Sequence, residues 1–308
     1  MASDKPKVFI DGEAGTTGLG IRARLEALPA VELRSLPEAH RKDPAARRDI
    51  MAEVDAVILC LPDAAAKESA ALAASLGNAA PRVLDASTAH RVDPQWEYGF
   101  PEMVAGQDRR IAGSARVANP GCYPTGAIGL LRPLVDAGLI PPDYPITINA
   151  VSGYSGGGKS MIAAHDRDHG PAFELYALGL EHKHVPEIEK YCGLARRPIF
   201  VPSVGHFHQG MLVSVPLHLD DLPGRPTGTD LREALANFYR GSERVVVADA
   251  GGDDKLEPEA LNDTNKLELS VHANGAHRQA VLVARLDNLG KGASGAAVQN
   301  LQLMLGLA

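Results

Sequence analysis

The chain has 308 residues, of which 45% are hydrophobic, so it is long enough to bury one large core or two medium ones. A formal charge of -7 without blocks of lysine and arginine argues against nucleic acid or an anionic membrane as the partner and favours a small molecule. Three scattered cysteines, no apolar run of about 18 residues and an N-terminus without the apolar core of a signal peptide predict a cytoplasmic protein with no membrane contact.

The N-terminal third of the chain alternates short apolar runs with helical patterns. The runs predicted as strands are KVFIDG, VELRSL, VDAVILCLP and RVLDAS. The third of them is almost continuously apolar, which is typical of a strand covered on both faces in a parallel sheet. Since helical spacing separates these runs, we predict an α/β fold that begins with a Rossmann-type, doubly wound parallel sheet.

Three glycines, Gly12, Gly15 and Gly18, lie between the first predicted strand and the first predicted helix. Backbone amides and the helix dipole at such a turn bind the pyrophosphate of a dinucleotide. The first step of the spacing is one residue longer than in G-x-G-x-x-G, and glycines also serve ordinary tight turns. We expect the three glycines, together with Thr16 and Thr17, to contact the cofactor.

The end of the second predicted strand carries Arg34 and Ser35 where NAD enzymes tend to keep a carboxylate for the ribose. Hydrogen-bond donors at this place suit the additional phosphate of NADP, so we predict NADP as the cofactor. The sequence leaves open that Arg34 is an ordinary solvated surface residue.

From Ile146 onward, the chain is rich in alternating and β-branched runs with few helices between them. These runs are ITINAVSGYSGGGK, RPIFVPSV, GMLVSVPLHL, KLELSVHA and RQAVLVARLD. They predict an α+β catalytic domain with a mixed, mainly antiparallel sheet, after which a closing helix returns to the first domain. We therefore predict a cofactor domain of residues 1–117 with 287–308, a catalytic and oligomerisation domain of residues 118–286, and ligand binding in a cleft between them.

Cys122 stands between Pro-Gly and Tyr-Pro, where the helical pattern of the following residues begins. A helix N-terminus stabilises a thiolate, and a thiolate is the nucleophilic form of cysteine. Cys60 lies inside an apolar strand and Cys192 near the end of a predicted helix, so neither is expected to be activated. Position alone leaves open whether Cys122 is a nucleophile or a packing residue.

Four motifs together resemble the N-acetyl-gamma-glutamyl-phosphate reductases. They are NPGCYPTG, VSGYSGGGK, HKHVPEIE and DNLGKGASGAAVQNLQLMLGL. The resemblance covers the chain from its first strand to its last helix, although FVPSVGHFHQGM departs from the commoner pattern and indicates a compact subgroup. It implies an NADPH-dependent reduction of an acyl phosphate to a semialdehyde in arginine biosynthesis, through a thioester on Cys122, and a fold related to aspartate-semialdehyde dehydrogenase.

The resemblance also implies roles for two histidines that precede a predicted helix. His182 is expected to be the acid/base residue, and His184 the second histidine, near the substrate carboxylate. In a strand-like run, residues two apart point to the same side, so both rings would face the site. The residues themselves leave open which histidine acts, and whether either only caps the helix.

Further site residues follow from the same resemblance, from the need for cations beside a phosphate, and from the glycine-rich turn whose amides can approach a ligand closely. The expected substrate-binding residues are Arg91, Arg116, Ser152 and Lys159, although each charged one is equally compatible with an ordinary surface position. The expected cofactor contacts outside the first turn are Ser87, Gly153, Gly156, Asn288 and Gly290. We also expect a homo-oligomer, either a dimer or a tetramer.

Three alternatives remain at this point. A related semialdehyde dehydrogenase of the lysine or aspartate pathway would share the cysteine chemistry. Two His-x-His pairs, His182 with His184 and His206 with His208, are compatible with a metalloenzyme. An NADP-binding regulator without catalysis would keep the glycine turn, but it leaves Cys122 without a role.

Overall fold

The computed structural model describes residues 5–249 and 255–307, and these residues divide into two units. One unit combines the chain up to Pro120 with the C-terminal segment from Ala293, and the other is Gly121–Gly292. Within the described ranges, no helix reaches the length and apolar character needed to cross a membrane.

Each unit is built around one sheet. The strands of the first unit are β1 (Lys7–Asp11), β2 (Glu32–Arg34), β3 (Ala56–Leu59), β4 (Arg82–Asp85), β5 (Glu97–Tyr98) and β6 (Arg116–Ala118). The strands of the second unit are β7 (Thr147–Gly153), β8 (Phe173–Leu175), β9 (Ile199–Gly205), β10 (Met211–His218), β11 (Val245–Val247), β12 (Leu267–Asn274) and β13 (Gln279–Leu286).

Each unit also contains several α-helices. The first unit contains α1 (Thr16–Glu26), α2 (Pro44–Ala52), α3 (Asp63–Ala74), α4 (Gln107–Gly113) and the C-terminal α9 (Gly295–Leu305). The second unit contains α5 (Cys122–Asp136), α6 (Gly158–Asp168), α7 (Val185–Cys192) and α8 (Gly228–Phe238).

The sheet of the first unit is parallel throughout, in the order β2-β1-β3-β4-β6-β5. Its central strand β3 is buried along its whole length, as expected for a strand that helices cover on both faces. One side of the sheet packs against α1 and α9, where Ile21 and Leu301 are fully buried. The predicted doubly wound parallel sheet is confirmed, and the closing helix packs on this sheet.

The sheet of the second unit has the order β11-β12-β13-β10-β7-β9-β8. Its pairs are antiparallel except for β7 with β9 and β11 with β12, so the predicted mixed, mainly antiparallel sheet is confirmed. The prediction missed the short strands β5, β6, β8 and β11, because two or three residues are too few to show an alternation.

Helix α5 packs on the second sheet through a glycine. A methyl group on Gly126 would lie 2.8 Å from Cγ2 of Val213 and 3.3 Å from Cβ of Ala284. Val is branched at Cβ and has little freedom to turn away. The absence of a side chain at Gly126 therefore sets how closely α5 approaches β10 and β13.

We predict that Gly126→Ala lowers the free energy of unfolding by about 1–3 kcal/mol, the usual cost of inserting an atom into a packed interior. Gly113→Ala is the matched control, because a methyl group there meets no atom within 4 Å. It should raise stability by about 0.4–1 kcal/mol through the unfolded state. Urea titration followed by circular dichroism measures both values, and equal effects of the two substitutions would contradict the close approach.

Candidate active site

Cys122 is the first residue of α5, as predicted. The preceding Gly121 is the N-cap in an extended conformation, with φ -74° and ψ 155°, and no acidic residue occupies the first turn. The thiol is half-buried. The positive end of the helix dipole lies at this point and favours a thiolate, and the buried carboxylate of Glu187, which accepts the amide of Gly121 at 2.8 Å, offsets part of this effect.

The other two cysteines are in a different electrostatic environment. Burial, with the nearby carboxylates of Asp85 and Asp11, raises the pKa of the Cys60 thiol to about 12. Burial also raises the pKa of the Cys192 thiol far above its usual range. Both thiols are therefore protonated at neutral pH, which agrees with the expectation that neither is activated.

The motif DNLGKG lies against Cys122 within the second unit. A methyl group on Gly292 would be 2.9 Å from Cβ of Cys122, so only glycine lets the two backbones approach this closely. The amide of Gly292 donates to the carbonyl of Asp287 at 2.9 Å. Asn288 donates through Nδ2 to Oγ of Ser155 at 2.9 Å and accepts the amide of Gly210 at 2.7 Å.

The glycine-rich turn after β7 lies beside Asn288. Ser152 is buried, and a methyl group on Gly156 would lie 3.0 Å from its Oγ and 3.6 Å from Nδ2 of Asn288. The amide of Gly153 donates to the carbonyl of Gly210 at 2.9 Å. The structure thus brings Ser152, Gly153, Gly156 and Asn288 together, whereas Lys159 is exposed on the first turn of α6.

The two histidines of HKHVPEIE lie in a turn, so the expectation of a strand-like run is wrong. His184 has a helical φ and ψ and is the N-cap of α7, without a side-chain capping bond. The rings of His182 and His184 are nevertheless only 4.7 Å apart. Both also face Tyr123, the residue after Cys122, at centroid distances of 6.0 and 5.9 Å.

His182 is held in one protonation state. Its Nδ1 accepts the amide of His184 at 3.1 Å, so the proton of the neutral ring is on Nε2, 3.5 Å from Oη of Tyr176. Burial, with the charge of Lys183, lowers the pKa of His182 to about 4. The ring is therefore neutral at neutral pH, whereas a histidine that exchanges protons during catalysis usually titrates near the working pH.

Two tyrosines in this cluster were missed in the sequence. Tyr176 donates to Oη of Tyr123 at 3.3 Å, and Tyr123 donates to the carbonyl of Ser203 at 3.0 Å. Burial raises the pKa of Tyr176 to about 12, and burial also raises the pKa of Tyr123 well above its usual range. Tyr123 follows Cys122 in the motif NPGCYPTG, so its position could have indicated a place in the site. No local sequence pattern distinguishes Tyr176.

The predicted pyrophosphate turn joins β1 to α1 in the first unit. Gly12 has a φ of +91°, and a methyl group on it would lie 2.4 Å from the carbonyl oxygen of Cys60, so no other residue fits. Gly15 is the N-cap of α1, whose first turn, with Thr16 and Thr17, has neither a side-chain capping bond nor an acidic residue. These features fit a bound diphosphate, because an anion meets amides and no competing carboxylate.

The end of β2 holds a polar cluster in which the predicted Ser35 meets Glu13, Arg22 and Arg41, three residues that the sequence pattern did not indicate. Ser35 donates to Oε2 of Glu13 at 3.0 Å, and Arg22 contacts both, at 2.5 Å from Glu13 and 2.8 Å from Ser35. Arg41 contacts Oε1 of Glu13 at 2.8 Å. Arg34 instead pairs with Glu32 on the same strand, at 2.9 Å, and both side chains are exposed.

The turn after β4 is organised by a buried carboxylate. Asp85 accepts the amide and the Oγ of Ser87 at 2.8 and 2.9 Å and lies 2.6 Å from Nδ1 of His90. The guanidinium of Arg91 is buried and donates to the carbonyl of Asn119 at 2.9 Å. Ser87 and Arg91 therefore follow the carboxyl end of β4, at the edge of the parallel sheet where ligands usually bind.

Arg116 differs from Arg91 in its place on the sheet. It is the first residue of β6, at the amino ends of the parallel strands, and it is exposed. Its guanidinium lies 3.5 Å from the side chain of Gln95. The first unit does not bring Arg116 to the edge that carries Ser87 and Arg91.

The histidine pairs considered for a metal do not form one cluster. Nδ1 of His206 lies 2.9 Å from Nδ1 of His165, and Tyr154 stacks on His165 at 4.6 Å. No set of three or more His, Cys, Asp and Glu side chains within residues 5–249 and 255–307 has an arrangement suited to a metal ion.

A segment of each unit matches a domain model, and both models describe domains of semialdehyde dehydrogenases. A model described as the semialdehyde dehydrogenase NAD binding domain matches residues 34–109. A model described as the semialdehyde dehydrogenase dimerisation domain matches residues 122–288, more than half of the chain.

Solved structures with the same fold come from a related enzyme. Aspartate semialdehyde dehydrogenase II from Vibrio cholerae, complexed with ASA, aligns with a TM-score of 0.73 and 18% identity over 99% of both chains. Aspartate semialdehyde dehydrogenase with NADP from Candida albicans aligns with a TM-score of 0.68 and 14% identity over 98% of this chain and 99% of that one. These likenesses show a shared fold.

Other relatives have a much higher sequence identity with this chain than these solved structures have. N-acetyl-gamma-glutamyl-phosphate reductase from Burkholderia ambifaria is 53% identical over 98% of this chain and 97% of its own length. N-acetyl-gamma-glutamyl-phosphate reductase 2 from Pseudomonas putida is 52% identical over the same shares. The resemblance inferred from the four motifs is confirmed, and this chain belongs to the N-acetyl-gamma-glutamyl-phosphate reductase family of semialdehyde dehydrogenases.

Proposed function

We propose that the protein reduces N-acetyl-gamma-glutamyl phosphate to N-acetyl-glutamate semialdehyde and phosphate with NADPH, in arginine biosynthesis. The observation that carries the proposal is Cys122 at the start of α5, in a chain more than 50% identical to reductases of this name. The cytoplasm is the proposed location, which an odd number of scattered cysteines supports.

Cys122 is the proposed nucleophile. Its sulfur attacks the acyl carbon, the carbon–sulfur bond forms, and phosphate leaves with the electrons of the broken carbon–oxygen bond. The substrate oxygen carries negative charge in the tetrahedral intermediate. Amides in the first turn of α5 point toward that end of the helix and are suited to stabilise this charge.

The thioester then has to be reduced and released. When bound, NADPH supplies the hydride for this reduction. The carbon–sulfur bond breaks and Cys122 recovers its electron pair, which the helix dipole stabilises as a thiolate. We assign His182 as a hydrogen-bond donor to the substrate oxygen through Nε2, a role that its neutral state supports, and His184 as the second histidine of the site.

The remaining contacts are proposals that the local geometry supports to different degrees. The proposed pyrophosphate contacts are Gly12, Gly15, Thr16, Thr17 and Gly18, and the further cofactor contacts are Ser87, Gly153, Gly156, Asn288 and Gly290. The proposed substrate contacts are Arg91, Ser152 and Lys159, while the position of Arg116 gives that residue no support.

The additional phosphate of NADP has a suitable cluster at the end of β2. We propose that Arg22, Arg41 and Ser35 bind it, with Arg34 as a more distant charge. Glu13 contacts both guanidinium groups and Glu26 also pairs with Arg22 at 2.9 Å, so what the cluster offers an anion is several N–H and O–H donors in one place rather than an excess of positive charge. Arg22 and Arg41 are already fixed in place by Glu13, so less side-chain freedom is lost on binding.

Self-association is the proposed role of the outer face of the second sheet. A groove of about 580 Å³ lies on this face. Its lining is mostly apolar and includes Val151, Phe173, Leu175, Leu212, Val281 and Val283. Phe173 and Leu175 are about half exposed, which is costly for large apolar groups in water. The matching family model carries the name of a dimerisation domain, so we propose a second copy of this chain as the occupant, in a dimer.

We predict that the purified protein converts N-acetyl-glutamate semialdehyde, phosphate and NADP to the acyl phosphate and NADPH, and that aspartate semialdehyde reacts far more slowly. Cys122→Ser should abolish this turnover, because an alcohol at this position is a far weaker nucleophile and leaving group than a thiol. Absorbance of NADPH measures the rate. Cys192→Ser is the control and should keep most of the activity, and an active Cys122→Ser variant would exclude the thioester route.

We predict that Arg41→Ala raises the dissociation constant of NADP by about 10- to 100-fold, the value of one charge-assisted contact to phosphate. The dissociation constant of NAD should change by less than about 3-fold, because NAD lacks the phosphate. Calorimetry with both nucleotides measures the two constants. If Arg34→Ala weakens NADP and Arg41→Ala does not, the assignment of the phosphate site is wrong.

We predict that Leu175→Glu converts a dimer to a monomer, since a carboxylate buried between two apolar faces lacks a compensating partner. Leu19→Glu on α1, at a position that is also about half exposed, is the control and should keep the mass of the parent. Sedimentation equilibrium gives the masses. A parent protein that sediments as a monomer, or a Leu175→Glu variant that stays dimeric, would contradict the proposed interface.

A further inference from the structure

His90 is a buried histidine in the turn after β4, and the proposed reaction gives it no role. Asp85, the last residue of β4, is fully buried, and its Oδ2 lies 2.6 Å from Nδ1 of His90. An ionised carboxylate only accepts hydrogen bonds, so Nδ1 carries a hydrogen and donates it to Asp85. Nδ1 can carry this hydrogen in the neutral and in the cationic ring, so the bond does not depend on the charge of His90.

The indole of Trp96 fixes the plane of the same ring. The two rings are stacked, with centroids 4.1 Å apart and an angle of 15° between their planes. Both side chains are buried, so no water competes for the shared face. Trp96 thus holds one face of the imidazole while Asp85 holds its Nδ1 edge. His90 is therefore a fixed point of the turn rather than a mobile side chain.

The bond of His90 closes a turn that begins with Ser87. Oγ of Ser87 donates to the same oxygen, Oδ2 of Asp85, at 2.9 Å, and the amide of Ser87 donates to Oδ1 at 2.8 Å. Between the two ends, the amide of Ala89 donates to Oγ of Ser87 at 3.0 Å. Burying a carboxylate is costly unless hydrogen bonds compensate for lost water, and these donors supply them. One carboxylate therefore holds both ends of residues 87–90.

Arg91 follows His90 directly, and its buried side chain reaches the residue after β6. Nε of Arg91 donates to the carbonyl of Asn119 at 2.9 Å. The amide of Asn119 in turn donates to the carbonyl of Asp85 at 2.7 Å. Because the backbone of Arg91 continues from His90, the bond between His90 and Asp85 sets the point from which this guanidinium extends.

We propose that His90 is a positioning residue, whose bond to Asp85 fixes the turn that carries two proposed ligand contacts. These contacts are Ser87 for the cofactor and Arg91 for the substrate, so the inference rests on the proposed function. His90 acts here without touching a ligand or transferring a proton. Without its bond, the turn has to be ordered when a ligand binds, and the cost of that ordering weakens binding.

The test compares His90→Asn with His90→Gln, because the two side chains carry the same amide and differ by one methylene. The amide nitrogen of Asn takes the place of Nδ1 and still donates to Asp85, whereas that of Gln lies one bond further from the backbone. His90→Gln should raise the dissociation constant of NADP by about 10-fold, while His90→Asn should stay within about 3-fold of the parent. Calorimetry measures these constants without any turnover.

Gln95→Ala, at an exposed position next to Trp96, is the control and should bind NADP like the parent. Melting temperatures separate the proposed role from a contribution to stability alone. A Gln variant that melts at a lower temperature but binds NADP like the parent would overturn the proposal. Equal losses of affinity in the Asn and Gln variants would overturn it as well, since the imidazole itself would then be needed.

His90→Ser covers the case in which the Gln variant does not fold. Its short side chain does not reach Asp85, and the space that it leaves can admit water to the carboxylate. This variant should lose affinity for NADP by about 10-fold, as expected for the Gln variant. A Ser variant with the affinity of the parent would show that the bond to Asp85 does not matter for binding.

Steady-state kinetics test the effect on Arg91. In the direction that consumes phosphate, His90→Gln should raise the KM of phosphate by about 10-fold and leave kcat within about 3-fold of the parent. A loss of kcat at unchanged KM would contradict a role in ligand binding. If the parent proves inactive in this assay, the proposed function is wrong, and the NADP titrations still decide whether His90 positions the turn.

Discussion

The chemistry proposed for this protein depends on one peptide junction, where the extended Gly121 meets the first helical residue, Cys122. The helix dipole, the amides of the first turn and the sulfur converge there. The surrounding residues either leave this junction room or hold it still: Gly292 lies against the cysteine without a side chain, and Glu187 accepts the amide of Gly121. A thiol elsewhere in the chain lacks these conditions, as the raised pKa values of Cys60 and Cys192 show.

Each unit uses its sheet to bring distant segments to one place. In the first unit, the parallel strands β1, β2 and β4 carry the glycine turn, the Glu13 cluster and the Asp85 turn at their carboxyl ends. In the second unit, β7 and β13 end at the same edge of the sheet, on either side of β10, and the sequence-distant motifs that follow them meet at Asn288 and Ser155. Positions at strand ends therefore account for most of the residues to which roles are assigned.

The sequence predicted those parts of the candidate site that are marked by a pattern within a short segment of the chain. A cysteine at a helix start and glycines between a strand and a helix are visible within about ten residues. The contacts of Glu13 with Arg41 and of Glu187 with Gly121 join residues far apart in the chain, and no local sequence pattern predicts such contacts. The histidine turn was predicted as strand-like although His-Lys-His shows no alternation of apolar and polar residues, and the proline and N-cap geometry of α7 decide the backbone there.

The position of α9 at the C-terminal side of the second unit determines when the first unit can complete its core during synthesis. Its residues Ala297, Leu301 and Met304 complete the apolar core that β1 and α1 begin with Val8 and Ile21. The N-terminal sheet therefore emerges with one side covered only by α1 and α4, and the rest of that side stays exposed until α9 is synthesised. The second unit is continuous in sequence and is complete first, so the earliest translated segment is the last to finish folding and depends longest on protection from aggregation.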